Sequence, residues 1–143
     1  MQLDPDDPIV ALCGQGMQAE GEGRVADAVA LFQQAWDAST TDEQAAIAAH
    51  YVARHQPTIE ACLAWNERAL VHAQHADPDR VAGFFPSLHL NLGHSHEQRG
   101  DHDLAREHYE AARDTAGVLG DDPYGQMLRD GIARALDRVP APG

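Results

Sequence analysis

One pattern of small and large residues occurs twice in this chain and restricts what it can fold into. In its clearest form it runs Leu92-Gly93, Gly100, Ala105, Tyr109, Ala112. Gly16, Gly23, Ala28, Phe32 and Ala35 repeat it earlier. Small residues at Gly93, Ala105 and Ala112 let two helices approach closely, and the Tyr109 ring fills the space between neighbouring helix pairs. Gly100 supplies a turn geometry that costs other residues energy. A degenerate copy lies between the two: Cys62, Asn66 and Ala69 follow the second-helix frame, and Pro57 stands where the turn glycine would be. The first two copies lie 34 residues apart and the last two 43. Recurrence on that scale marks stacked helix pairs, each of which buries its apolar face only against a neighbour.

Punctuation along the chain divides it into about seven helical stretches. Pro8 opens the first, through Ile9, Cys13 and Met17 to a break at Gly21 and Gly23. The second spans Val25 to Ala38, with Val25, Ala28, Val29, Phe32, Ala35 and Trp36 at helical spacing where a strand would alternate. Thr41 or Asp42 caps a third, which ends near Pro57, and Thr58 caps a fourth, stopped by Ala76-Asp77-Pro78-Asp79. A fifth is expected from about Arg80 to Arg99, where Pro86 either kinks it or marks its real start. A sixth runs from His102 to about Val118, and a last from Tyr124 to Val139 on an apolar stripe of Leu128, Ile132, Ala135, Leu136 and Val139. Pro140 to Gly143 reads as a frayed tail. No segment reads as a strand.

These frames resemble the tetratricopeptide repeat, and the chain is similar to a short, stand-alone, bacterial-type array of such repeats. The first copy departs from the family at Gln15 and Ala19, where a larger apolar and an aromatic residue are usual. The extra length near His75 to Gly83 resembles the longer helices of kinesin-light-chain repeats. The resemblance implies an all-α fold in which antiparallel helix pairs stack as an α-α superhelix. It implies one domain over residues 1–143, with repeats at about 8–40, 42–76 and 80–118 and a capping helix at about 124–139. It also implies a concave wall lined by the first helix of each pair, which in the family holds peptides or protein segments. By register, that wall receives Val10, Cys13, Met17 and Glu20; Gln44, Ile47, Tyr51, Arg54 and His55; and Leu90, His94, Glu97 and Gln98. Met17, Glu20, Tyr51, Arg54, His55, His94, Glu97 and Gln98 are the candidate ligand-binding residues. Tyr51, Arg54 and His55 are the most suggestive, because tyrosine and arginine combine apolar area with directional donors. Arg54 also suits bidentate pairing with a carboxylate or phosphate. The plainer reading of it is a pairing with a neighbouring Glu or Asp.

Charge narrows the partners. Acidic residues number 23 and basic ones ten, all arginine, for a formal charge of −13. A field of that sign repels phosphate backbones, so a protein or peptide partner, preferably cationic, is expected and nucleic acid is not. The start, Met1 to Pro8, is acidic and proline-broken, unlike a signal peptide. No apolar run approaches the roughly 18 residues of a membrane helix. Cys13 and Cys62 carry no metal or redox spacing and read as reduced core residues, so a cytoplasmic protein without membrane contact is expected.

Nine histidines invite a metal reading. His94 and His96, however, point about 200° apart on a helix, so with His102, Glu97 and Asp101 they do not readily share an ion. Only His72 and His75 have helical spacing. No metal and no cofactor is expected; acid sensitivity is the milder role, since several histidines protonating between about pH 7 and 5 would remove much of the negative charge. Asp121-Asp122-Pro123-Tyr124 resembles the Asp/Asn-Pro-Pro-Tyr motif of amino-methyltransferases acting on adenine. Those enzymes need a strand-built cofactor fold with a glycine-rich loop, so here the segment reads as a turn and helix start. The expectation is a non-catalytic adaptor that holds a peptide, protein segment or small ligand on the concave face, with a self-associating homodimer as the alternative and a metal-binding or enzymatic protein last.

Overall fold

The computed structural model describes residues 3–141; Met1, Gln2 and the end of the tail, Pro142 and Gly143, lie outside the described residues. Within them every regular element is helical and none is a strand. No helix among them is long and apolar enough to cross a membrane. The helices fall into two compact units that divide between Asp77 and Pro78.

The first unit holds α1 (Pro8–Gly21), α2 (Val25–Ala38), α3 (Asp42–Val52) and α4 (Ile59–His75). Each start has a local cause. The Asp7 side chain accepts from the Ile9 amide at 2.8 Å with Pro8 in the first turn, so α1 opens where two constraints coincide. Thr41 accepts from Gln44 N and Thr58 from Ala61 N, both at 3.1 Å, opening α3 and α4. α1 stops at Gly23, whose φ of +79° only glycine adopts cheaply, and three residues turn the chain back along itself as α2. α3 is buried from Ala45 to Ala49, as suits a helix packed against α1, α2 and α4 together. On α2 and α4, Trp36 and Trp65 meet edge to face at 5.0 Å.

The second unit holds α5 (Pro78–Val81), α6 (Phe85–Gln98), α7 (His102–Thr115) and α8 (Pro123–Arg138). Gly100, with φ +84°, closes the α6–α7 hairpin as Gly23 closes α1–α2. Asp122 caps α8 by accepting from Gly125 N at 2.8 Å, with Pro123 in the first turn, so the Asp-Pro-Tyr segment is a turn and a helix start. The core joins Leu90 of α6, Ala105, Tyr109 and Ala112 of α7, and Leu128, Ile132 and Ala135 of α8.

Three boundaries differ from the sequence reading. The stretch from Arg80 to Arg99 is not one helix, and of the two readings of Pro86 the helix start holds: α5 lasts four residues, Ala82–Phe84 form a 3-10 turn, and α6 begins with Pro86 in its first turn. Proline lacks an amide proton, which costs nothing in a first turn and a hydrogen bond inside a helix, so the new start falls there. α3 and α7 likewise end in 3-10 turns, Ala53–His55 and Ala116–Val118. Tyr109 also lies differently. Besides reaching the α8 residues of its cluster, it lies on Gly93 of its own hairpin, where an added Cβ would stand 2.4 Å from the ring; a Cβ on Gly16 would stand 2.3 Å from Phe32.

Such contacts make the two glycines intolerant. Gly93→Ala and Gly16→Ala are each expected to destabilise their unit by about 1–3 kcal/mol, because the ring beneath must move in a packed core. Gly14, mid-helix with open space where a Cβ would go, is the control: Gly14→Ala should stabilise by up to about 1 kcal/mol. Urea titrations followed by circular dichroism measure both, and equal tolerance at Gly14 and Gly93 would refute the ring contact.

Candidate functional site

In the first unit the candidate residues come from two helices and one turn. Glu20 sits in the last turn of α1, Tyr51 near the end of α3, and Arg54 and His55 in the 3-10 turn that follows. That turn is what brings them round: a continued α-helix would rotate Arg54 and His55 differently. Arg54 Nη2 reaches Glu20 Oε1 at 3.2 Å, and the His55 ring donates through Nε2 to Glu20 Oε2. Beneath them lies an aromatic stack. Tyr51 covers Phe32 at 5.2 Å between ring centroids, and His55 lies nearly parallel to Phe32 at 6.2 Å. The Arg54 guanidinium stands 6.0 Å from the centre of the Tyr51 ring. Met17, one turn before Glu20, is exposed.

The structure thus brings Glu20, Tyr51, Arg54 and His55 together at this end of α1 and α3. At the other end Gln44 donates to both carboxylate oxygens of Asp7 at 3.2 Å, tying the two helix starts together. The register transfer fails in depth. Cys13 and Ile47, assigned to the open wall, are buried, as is Leu90 in the second unit. Burial, then Asp7, pushes the Cys13 thiol up to about 12, which leaves it an inert core group. Arg54 follows the plainer reading, with a carboxylate of its own chain as partner, yet its side chain stays 49% exposed.

The second unit repeats the polar part of this arrangement. Glu97 accepts from the Tyr109 hydroxyl at 2.6 Å and from Arg138 of α8 through two nitrogens, at 3.1 and 3.2 Å. Arg138's hydrogen bonds hold the Glu97 carboxyl below its ordinary range, with Tyr109 adding to the effect, while burial and Glu97 push the tyrosine hydroxyl up. His94 meets the Tyr109 ring edge-on at 5.6 Å, and Gln98 is exposed at the helix end. Both candidate carboxylates, Glu20 and Glu97, are thus already matched by arginine.

The histidines form an arrangement that sequence spacing conceals. His89 and His108 face each other Nδ1 to Nδ1 at 3.1 Å, a distance at which one ring donates and the other accepts. His96 stacks on His108 at 5.3 Å and 4°, and Phe85 on His89 at 6.3 Å, so four rings run in a column between α6 and α7. His94 and His96 do lie on different faces, one exposed and one buried. Seven residues separate His89 from His96, two turns on one helix face, which is the signal that identifies the pair. Of the pair with helical spacing, His72 donates to Asp42 at 2.8 Å and His75 to the Val71 carbonyl at 2.7 Å. Among the described residues no three His, Cys, Asp or Glu side chains gather at metal-binding geometry.

Burial changes the expected acid response. His50 is held down to about 4 by burial and then Arg54, and His108 to about 4 by burial and then its neighbours His89 and His96. His89 is lowered by burial, and His94 by burial and Arg138. His50 and His108 therefore stay neutral between pH 7 and 5, contrary to the sequence expectation, while in the unfolded chain they take protons near pH 6.5. The unfolded state binds more protons in that window, so stability is full above about pH 6.5 and falls as the pH drops towards 4. The melting temperature should be flat above pH 7 and fall by roughly 5 °C between pH 6.5 and 5. A His50→Gln/His108→Gln variant should show a shallower fall; an unaltered slope would contradict the assignment. Compared with known proteins, the chain matches no family model, and no curated protein matches it, so its function is read from this geometry alone.

Proposed function

We propose that the chain is a non-catalytic, cytoplasmic binding module of the tetratricopeptide kind, which holds a peptide or protein segment on the exposed side of α1 and α3. The observation that carries this reading is the cluster of Glu20, Tyr51, Arg54 and His55. An arginine half open to solvent is fixed over a tyrosine by a carboxylate from a second helix, on a scaffold locked by the Phe32–Gly16 contact. A preordered guanidinium and ring lose little side-chain freedom when a partner docks, and these two residue types dominate binding hot spots. The helical hairpins with glycine and alanine at their close seams and the α8 helix packed on the last hairpin support the tetratricopeptide reading. The charge of −13 favours a cationic segment, chiefly by speeding its encounter.

Wild type and a Tyr51→Ala/Arg54→Ala variant, each shown to be helical by circular dichroism, would be used to capture partners from the native host. Partners retained by wild type and lost by the folded variant support the reading. Recovery of the same partners by both would move the binding surface elsewhere. Self-association is the second reading, favoured by Tyr124 and Met127, which lie one turn apart on α8 and are 49% and 58% exposed. Light scattering over a dilution series separates the two, because an obligate homodimer keeps its mass.

A further inference from the structure

The geometry points to a ligand site in the second unit made of other residues: a pocket between the end of α7 and α8 that takes a small amphipathic carboxylate, an anionic head on an apolar body. The pocket measures about 470 Å³, within the range of small-molecule sites. Its walls are the edge of the core. Leu119 and Leu136 are half-buried against the core cluster, Ile132 is part of it, and the small residues Gly117 and Ala133 leave the space above them open. α7 gives way to its 3-10 turn here, which carries the chain aside and leaves that apolar edge uncovered.

Two of the ten arginines, Arg113 and Arg129, line this apolar space, and no acidic residue does. Arg129 donates through both terminal nitrogens to the Gly120 carbonyl, at 2.8 and 3.2 Å. That fixes the guanidinium without neutralising it: among the described residues no carboxylate pairs with Arg129. In a chain with 23 acidic residues, a cation held beside an apolar wall by a carbonyl alone is open to pairing with an incoming carboxylate. Arg113 has only exposed partners, Asp114 at 3.4 Å and Glu110 at 3.9 Å, and can contribute to the same head group. A cationic ligand is repelled by both guanidiniums. A sugar would leave hydroxyls unpaired against leucine and isoleucine, and an inorganic anion would leave the apolar wall wet.

Calorimetric titration of the full chain with decanoate, with decanol and with inorganic phosphate, all below micelle-forming concentrations, tests the proposal. Decanoate should bind one to one, with decanol and phosphate at least about tenfold weaker. Arg129→Gln should weaken decanoate by about tenfold and leave decanol unchanged. Ala133→Trp places a ring in the pocket from an exposed position, so the chain should keep its helical content and melting temperature and lose decanoate binding. Decanol binding as tightly as decanoate, or Ala133→Trp binding decanoate like wild type, would overturn the site. Failure of decanoate to bind wild type, with Ala133→Trp instead breaking a dimer, would likewise overturn it and make the pocket an interface between copies.

Discussion

Phe32 lies on Gly16 and Tyr109 on Gly93 so closely that neither glycine has room for a methyl group. Each ring belongs to the second helix of a hairpin and each glycine to the first, so the contact sets how near the two axes come. Alanines complete the seam one turn to either side of the ring, at Ala28 and Ala35 in one hairpin and Ala105 and Ala112 in the other, all with no exposed surface. A hairpin closed this tightly has no spare apolar area on its inner face. Further helices, α3 on one and α8 on the other, therefore pack against its outer side.

From that packing the polar features follow. In both hairpins a glutamate stands four residues beyond the ring-bearing glycine, Glu20 and Glu97, 77 residues apart like the glycines themselves. Each is reached by an arginine from the next long helix or its terminal turn, Arg54 or Arg138. The two differ in one atom. Tyr109 has a hydroxyl and gives it to Glu97; Phe32 has none, and the second oxygen of Glu20 goes to His55 instead. The first unit thus assembles a histidine, a tyrosine and an arginine at its surface, where the second satisfies its carboxylate internally.

How much of this could be read from the residues depends on the range of the interaction. Caps and turn glycines act within a few positions, so Pro8, Thr58, Gly23 and Gly100 marked their boundaries correctly. The glycine–alanine–aromatic frame encodes packing within one hairpin, 16 residues from glycine to ring, and was legible as well. The α-to-3-10 transitions were not: they depend on what the last turn packs against, which no local propensity encodes. Register assigned Cys13, Ile47 and Leu90 to an open wall, because it does not tell where neighbouring helices cover a face. The arginine that completes Glu20 lies 34 residues away and that of Glu97 lies 41, beyond any helical period. His108 joins His89 and His96 only because α7 folds back on α6.

The absence of lysine takes on meaning in this light. A guanidinium presents five donors in a planar fork and bridges acceptors on different elements, where an ammonium offers a point charge. Arg106 of α7 gives one nitrogen to the carbonyls of both Leu136 and Val139 at the end of α8, at 3.3 and 2.7 Å. Arg138 spans from α8 to Glu97 on α6, Arg54 from the turn after α3 to Glu20 on α1, and Arg24 holds Glu22 and Asp27 across the first hairpin turn. Arg68 lies over the Trp65 ring at 4.4 Å. Arg24, Arg54 and Arg106 each join two partners with one side chain, a geometric demand lysine does not meet. Arg129 differs from these in taking a backbone carbonyl, and among the described residues no carboxylate, as its partner.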